Sequence, residues 1–317
     1  MGFNFTEVLM NNTAFIYPGQ GSQTLGMGSS VWESFEEAGK IFDMASDIAG
    51  YDMRSLCADG PIEKLSRTLY TQPALFTVEA AITNVLKAHS ITPSVVAGHS
   101  LGEIGAWYAA GAFGFEDGFQ LVSERGRLMD NADPEGLGTM SAIIGLDSDT
   151  VREVCDSVDG VVVVANYNSP QQIVISGEKS AVAAAGEVLN ERGAKRVLPL
   201  KVSGAFHSPL MDNAKEKFSS VVENLSINDA QIPVYANVTA SKVTDAAQIK
   251  KIIVQQLTSS VRWTETVLNM IGDGIEKAYE VGPGNVLGGL IKRTDKQLEV
   301  KSVSDSSTLT EVINETA

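Results

Sequence analysis

Gly98-His99-Ser100-Leu101-Gly102 sets one serine inside a G-x-S-x-G pentapeptide, between the apolar run Val95-Val96-Ala97 and a helical pattern over residues 103–110. A sharp strand-to-helix turn of this kind lifts the serine clear of the backbone, and its glycines let main-chain segments pass closely. Ser100 is therefore the candidate nucleophile, and a tight turn with a bystander serine is the competing reading. A serine attacks only when a base takes its proton. Of the three histidines, His89 ends a helical pattern ahead of Pro93, where it would face the helix dipole. His99 adjoins the serine, so its side chain leaves the turn in another direction. Elimination leaves His207, in Ser203-Gly204-Ala205-Phe206-His207-Ser208-Pro209, as the base; the alternative is a histidine packed for shape at a helix start.

Acyl transfer through a serine also needs N–H donors for the oxyanion. In an α/β-hydrolase arrangement one comes from the residue after the nucleophile, here Leu101. The loop Pro18-Gly19-Gln20-Gly21-Ser22-Gln23 follows the apolar stretch Ala14-Phe15-Ile16-Tyr17, and its glycines make the Gln20 amide a candidate second donor. A dinucleotide reading of that loop is weak, because Thr24 stands where the third glycine of the fingerprint belongs.

The helical pattern over residues 116–130 carries the sharpest clue to substrate. Leu121, Val122, Leu128 and Met129 share one face with Gly118, while Gln120, Ser123, Glu124, Arg127 and Asp130 share the other. Arg125 falls in the middle of the apolar face. An inward guanidinium needs a partner, since removing one member of a buried ion pair costs roughly 3–5 kcal/mol. No acidic residue lies on that face, so the partner is either a distant Asp or Glu or a carboxylate on the substrate.

These residues must be held by a scaffold, and the chain suggests one. Strand 14–17, helix 72–88, strand 94–97 and helices 103–110 and 116–130 suit an α/β sheet with parallel strands. Residues 138–200 read strand 140–144, helix 148–157, strands 161–165 and 172–176, helix 179–192 and strand 196–200. That βαββαβ order is the split-βαβ, ferredoxin-like pattern, expected as an insertion over residues 136–202 between catalytic-domain segments 1–135 and 203–317. Helix 211–224, strand 233–236, helices 246–257 and 263–271 and strand 277–281 follow. Polar residues 302–317 lack a firm pattern and are expected to fray at the end.

Composition narrows the function classes. A net charge of −15 over 317 residues argues against nucleic acid as the main ligand. Three histidines and two cysteines without ligand spacing argue against zinc, and Cys57 and Cys155 suggest reduced thiols in a cytoplasmic protein. The opening MGFNFTEVLMNN lacks the features of a secretion signal, and no apolar run approaches the roughly 20 residues of a membrane helix.

Taken in order, Gly19-Gln20-Gly21-Ser22-Gln23, the serine pentapeptide with Glu103, Arg125, Asn166-Tyr167-Asn168-Ser169-Pro170, Gly204-Ala205-Phe206-His207 and Glu280-Val281-Gly282-Pro283-Gly284 resemble the malonyl-CoA:acyl carrier protein transacylase family. The resemblance runs over about residues 13–295. It implies an α/β-hydrolase-like large domain with a ferredoxin-like insert, and ping-pong transfer of malonyl from malonyl-CoA through Ser100 to the phosphopantetheine thiol of acyl carrier protein. It further implies His207 as base and then acid, Gln20 and Leu101 amides as the oxyanion hole, and Arg125 on the malonyl carboxylate. A main-chain carbonyl near Gln256 would orient the histidine, Phe206 would crowd a branched acyl chain, and Asn166 would line the substrate site. No resident cofactor is implied, and a monomer is expected. An acidic carrier would dock on a local basic surface, for which Lys195, Arg196, Lys201, Lys292 and Arg293 are candidates against ordinary solvated charges. Fatty-acid or polyketide carriers both fit. An acyl-thioester hydrolase and a non-catalytic carrier-binding scaffold are the rival readings.

Overall fold

All four side chains of Ala14-Phe15-Ile16-Tyr17 are buried, which a strand achieves only in a sheet covered on both faces. Ala14 and Ile16 point into one apolar cluster with Trp263, Val267 and Leu290. Phe15 and Tyr17 point into the larger one, with Phe76 and Ile104. The computed structural model describes residues 8–316. Its strands are β1 (Val8–Tyr17), β2 (Ile91–Gly98), β3 (Gly138–Ile144), β4 (Val162–Ser169), β5 (Gln172–Glu178), β6 (Arg196–Pro199), β7 (Val234–Tyr235), β8 (Lys242–Val243), β9 (Lys277–Val281) and β10 (Glu299–Val303).

The larger sheet has the order β10-β9-β1-β2-β7-β8, parallel throughout except for the β7–β8 pair. Tyr17 lies opposite Gly98 in the β1–β2 register. The Gln20 loop and the serine turn therefore leave the same carboxyl edge of the sheet side by side, the usual place for a site in an open α/β sheet. The smaller sheet has the order β4-β5-β3-β6, antiparallel throughout. Helices Ser148–Ser157 and Lys179–Glu191 cover it through an apolar cluster of its own, including Ile143, Val154, Ile175 and Leu189. An isolated parallel bridge ties β4 to Val261, just before helix Trp263–Gly272. The Tyr167 amide donates to Val261 O at 2.9 Å and the Val261 amide to Ala165 O at 2.8 Å, and Val261 in turn packs in the apolar cluster that covers Ala14 and Ile16 of the larger sheet.

Several expectations need correction. The long helix runs Thr68–Ala88, four residues earlier than expected, because Pro73 removes one amide near its start without ending it. The strand expected at 233–236 is only the two residues of β7. Residues 302–316 are not a polar tail without structure: Ser302 and Val303 complete β10, and Ser306–Thr316 is a helix. Asp305 caps its first turn by accepting from the Thr308 amide at 2.8 Å, and Leu309 and Val312 are fully buried. Helices Ser29–Ser34, Glu36–Ala49, Met53–Ala58, Ile62–Leu65 and Val286–Thr294 were not expected at all. Residues 1–7, part of the segment that lacks secretion-signal features, and Ala317 lie outside the described residues. Among the described residues no helix is long and apolar enough to cross a membrane.

Docking of the last helix is tested by Leu309→Ala. Truncating a fully buried leucine should lower stability by about 2–4 kcal/mol in urea unfolding, whereas a change within about 0.5 kcal/mol would mean that this helix adds little to the fold.

Candidate active site

The serine turn is built by steric exclusion. A Cβ on Gly98 would strike the Gly102 carbonyl, and one on Gly102 would strike the Tyr17 carbonyl, so neither position admits another residue without moving the backbone. Ser100 itself sits at φ 52°, a left-handed conformation that a non-glycine residue rarely adopts. Asn237 holds it there: its Oδ1 accepts from the Ser100 amide at 2.8 Å, and its Nδ2 donates to Gly98 O at 2.6 Å. The helix Gly102–Ala109 starts just beyond, so its N-terminal end faces the site.

His207 arrives from the loop over residues 203–208, also at positive φ, 57°. Its Nδ1 lies 2.8 Å from the main-chain oxygen of Gln256, which can only accept, so Nδ1 carries the proton. Nε2 is then a bare acceptor, 2.8 Å from Ser100 Oγ. Burial, with the Arg125 charge next, drives the ring down to about 3, so it is neutral and proton-accepting. His99 does point elsewhere, with Nε2 2.7 Å from Asn168 Oδ1. His89 caps the Thr68–Ala88 helix.

Arg125 is 1% exposed, on the buried side of helix Phe115–Asp130 as its apolar neighbours require. Nη1 donates to Gln72 Oε1 at 2.9 Å, and Nη2 donates to Gln256 Oε1 at 2.7 Å and to Ser100 Oγ at 3.2 Å. Its buried Nε meets no partner among the described residues. Burial lowers the group to about 10, partly opposed by Glu103, so it stays cationic near neutrality. Among the described residues no carboxylate bonds to it directly. The two glutamine oxygens give Nη1 and Nη2 acceptors when no acid is bound, where burial alone suggested an acidic partner, and only Nε is left without one among the described residues. Glu103 is fully buried as well, accepting from the Asn237 amide at 3.1 Å and from Gln256 Nε2, and burial pushes it up to about 7.

A cavity of about 120 Å³ gathers Gln20, Leu101, Ser100, Arg125, Asn166, Phe206 and His207, together with Gln72, His99, Met129, Met140, Leu200 and Val202. Among the described residues, the main-chain N–H groups of Gln20 and Leu101 meet no protein acceptor, leaving them free for a ligand oxygen. Gln256 lies behind that wall, joined by its hydrogen bonds to His207 and Arg125. Lys195, Arg196, Lys201, Lys292 and Arg293 are exposed and outside the cavity, although Lys201 falls between the wall residues Leu200 and Val202. No group of three or more His, Cys, Asp or Glu able to hold a metal occurs among the described residues. Glu280 of the last motif caps helix Val286–Thr294, accepting from the Leu287 and Gly288 amides at 2.9 and 2.8 Å.

Residues 14–315 match the acyl transferase domain family over almost the whole chain. The chain belongs to that family. It is 43% identical over 303 residues to the malonyl CoA-acyl carrier protein transacylase of Bacillus subtilis, covering 95% of this chain and 96% of that one. The crystal structure of an acyl carrier protein S-malonyltransferase from Vibrio cholerae superposes with a TM-score of 0.93 at 44% identity, over 95% of this chain and 99% of that one. A malonyl-transacylase solved in complex with a type II polyketide synthase acyl-carrier protein gives 0.93 at 42% identity, covering 96% and 99%. Within this acyl transferase fold, sequence reasoning missed Gln72, Glu103 as a site residue, and Asn237. A signal existed for Glu103, the one charged residue in the buried helix segment Gly102–Ala109. Asn237 and Gln72 gave none, because their partners are distant in the chain.

The ring of His207 should remain neutral as pH falls from about 8 to about 5, since its value lies below the ordinary imidazole range. Histidine-selective ¹⁵N NMR would show an unchanged Nε2 lone-pair resonance; protonation near pH 6.5 would contradict the assigned environment.

Proposed function

We propose that the protein transfers a malonyl group from malonyl-CoA to the phosphopantetheine thiol of acyl carrier protein, in two half-reactions joined by a malonyl ester on Ser100. The observation that carries this reading is the buried Arg125 guanidinium, its Nη2 3.2 Å from Ser100 Oγ and bonded to no carboxylate among the described residues. A cation fixed beside a nucleophile suits an acyl group that ends in an acid. In the first half-reaction Ser100 Oγ attacks the thioester carbonyl while His207 Nε2 takes its proton. The Gln20 and Leu101 amides take the oxyanion, the C–S bond breaks, and the CoA sulfur leaves with the proton from His207. In the second, His207 takes the proton of the carrier thiol, the sulfur attacks the ester carbonyl, and Ser100 Oγ leaves with that proton.

In this reading Arg125 holds the malonyl carboxylate, Asn166 lines the acyl site, Phe206 crowds a branched acyl chain, and the Gln256 carbonyl orients His207. The chain divides into an α/β-hydrolase-like domain of residues 1–135 and 203–317 and a ferredoxin-like insert of residues 136–202. The separate apolar cluster of the smaller sheet supports that division. The protein works as a cytoplasmic monomer without a resident cofactor and supplies extender units for fatty acid synthesis, its acidic carrier meeting Lys195, Arg196, Lys201, Lys292 and Arg293. A polyketide carrier is the second reading, favoured by the relative solved with such a carrier. Transfer to the two carriers measured side by side separates them.

Incubation with malonyl-CoA should leave a stable malonyl adduct by intact mass, absent in Ser100→Ala and discharged by acyl carrier protein. Rapid free malonate with no malonyl carrier would support a hydrolase instead, and no adduct at all would support a scaffold. Arg125→Ala should reduce the preference for malonyl-CoA over acetyl-CoA about ten- to hundredfold, the value of roughly 1.5–3 kcal/mol for hydrogen bonds to a charged group. An unchanged preference would contradict the role given to Arg125.

A further inference from the structure

Glu103 sits without solvent exposure in a helix whose other residues are Gly, Ile, Ala, Trp and Tyr. A buried carboxyl is costly unless its oxygens are occupied by strong donors or balanced by a cation. Its direct partners are the Asn237 amide on Oε1 and the Gln256 Nε2 group on Oε2, neither of them charged. The balancing cation is one residue further on. Gln256 Oε1 accepts from Arg125 Nη2 at 2.7 Å, so a single side-chain amide spans the space between the carboxyl and the guanidinium.

That amide is oriented by both ends. Its nitrogen faces the acid and its oxygen the base; turned over, it would present N–H groups to the guanidinium and an oxygen to the carboxylate, repulsive at each end. The same Nε2 reaches Ser100 O at 3.0 Å, and the main-chain oxygen of Gln256 takes the His207 Nδ1 proton. Gln256 is thus a hub beneath the nucleophile, the base and the inward arginine, and Glu103 is the group behind it.

We propose that Glu103 is a positioning residue for acyl-group selection: acting through the Gln256 amide, its carboxylate holds the Arg125 guanidinium in place and partly balances its charge, keeping the fork ready for an incoming acyl carboxylate. The inference rests on the reading that Arg125 takes that carboxylate. Loss of Glu103 then affects the choice of acyl group more than acylation itself. The Gln256 amide becomes free to turn over, and Arg125 keeps only Gln72 and Ser100 as assured acceptors.

The test measures acylation of Ser100 by malonyl-CoA and by acetyl-CoA in the full chain, for the wild type, Arg125→Ala, Glu103→Gln, Gln256→Met and the Glu103→Gln/Gln256→Met double variant. Glu103→Gln should lower the malonyl-to-acetyl ratio about tenfold, the worth of one hydrogen bond to a charged group, with acetyl transfer to Ser100 within about threefold of wild type. Gln256→Met, which keeps the main-chain carbonyl for His207, should lower the ratio similarly. The double variant should be no worse than the more affected single one, since both cut one path. Equal losses with both acyl groups in Glu103→Gln, while Arg125→Ala does alter the ratio, would overturn the positioning role and leave the role of Arg125 standing; so would additive losses in the double variant. An unchanged ratio in Arg125→Ala would overturn both. Should Glu103→Gln not fold, Gln256→Met carries the test, and a wild-type ratio there overturns the proposal.

Discussion

A guanidinium that must stay charged away from water is the constraint on which the centre of this molecule depends. Arg125 lies on the buried side of its helix, and each hydrogen bond it makes comes from a different part of the chain: Gln72, Gln256 and Ser100. Desolvating such an ion is among the largest local costs in a protein interior, and dipolar oxygens offset only part of it. The surroundings follow from that cost. Gln72 sits in the first turns of the long Thr68–Ala88 helix, Gln256 in the turn after helix Ala246–Gln255, and Glu103 one amide away. The positive charge itself has no carboxylate against it among the described residues, and Nη2 brings it to 3.2 Å from Ser100 Oγ. In the proposed reaction a malonyl carboxylate meets that charge.

The serine turn obeys a different constraint, that of excluded volume. Gly98 and Gly102 let β2, the turn and the end of β1 come into contact, and the left-handed backbone of Ser100 is held by the two hydrogen bonds of Asn237. The parallel pairing that sets Tyr17 opposite Gly98 brings the Gln20 loop alongside, so two free amides and one hydroxyl share a small space. Met140 of β3, Asn166 of β4 and Leu200 and Val202 of the segment after β6 line that space, and the hydrogen bonds of Ala165 and Tyr167 to Val261 keep Asn166 in place. A transferase must keep water from its acyl ester, and a narrow cavity with partly apolar walls suits that need.

Much of this site was legible in the sequence because its signals are local. The pentapeptide fixes the serine turn, helical periodicity alone puts Arg125 inside, and the βαββαβ order of residues 138–200 emerges as the smaller sheet with its two helices. What was hidden depends on distance in the chain. Asn237 lies 137 residues beyond Ser100, and nothing near it predicts that contact. The glutamine partners of Arg125 were hidden for the same reason, so burial suggested a group in want of an acid where the structure has amides. The last helix was misread because its apolar residues, Leu309, Val312 and Ile313, are few and set among polar ones; the Asp305 cap and their spacing were the available signals. Helices Ser29–Ser34, Met53–Ala58 and Ile62–Leu65 are too brief to build up a periodic pattern, whereas Glu36–Ala49 buries Ala38, Ile41, Phe42 and Ala45 at helical spacing, a signal that was available and missed.

The central claim is that one buried cation selects the acyl group held on Ser100. A crystal structure of the protein loaded with malonyl-CoA tests it most directly. The account predicts an ester on Ser100 Oγ, its carbonyl oxygen at the Gln20 and Leu101 amides, and its terminal carboxylate within hydrogen-bond distance of Arg125. An ester whose carboxylate turns away from Arg125 toward solvent, or an adduct on another residue, would contradict it.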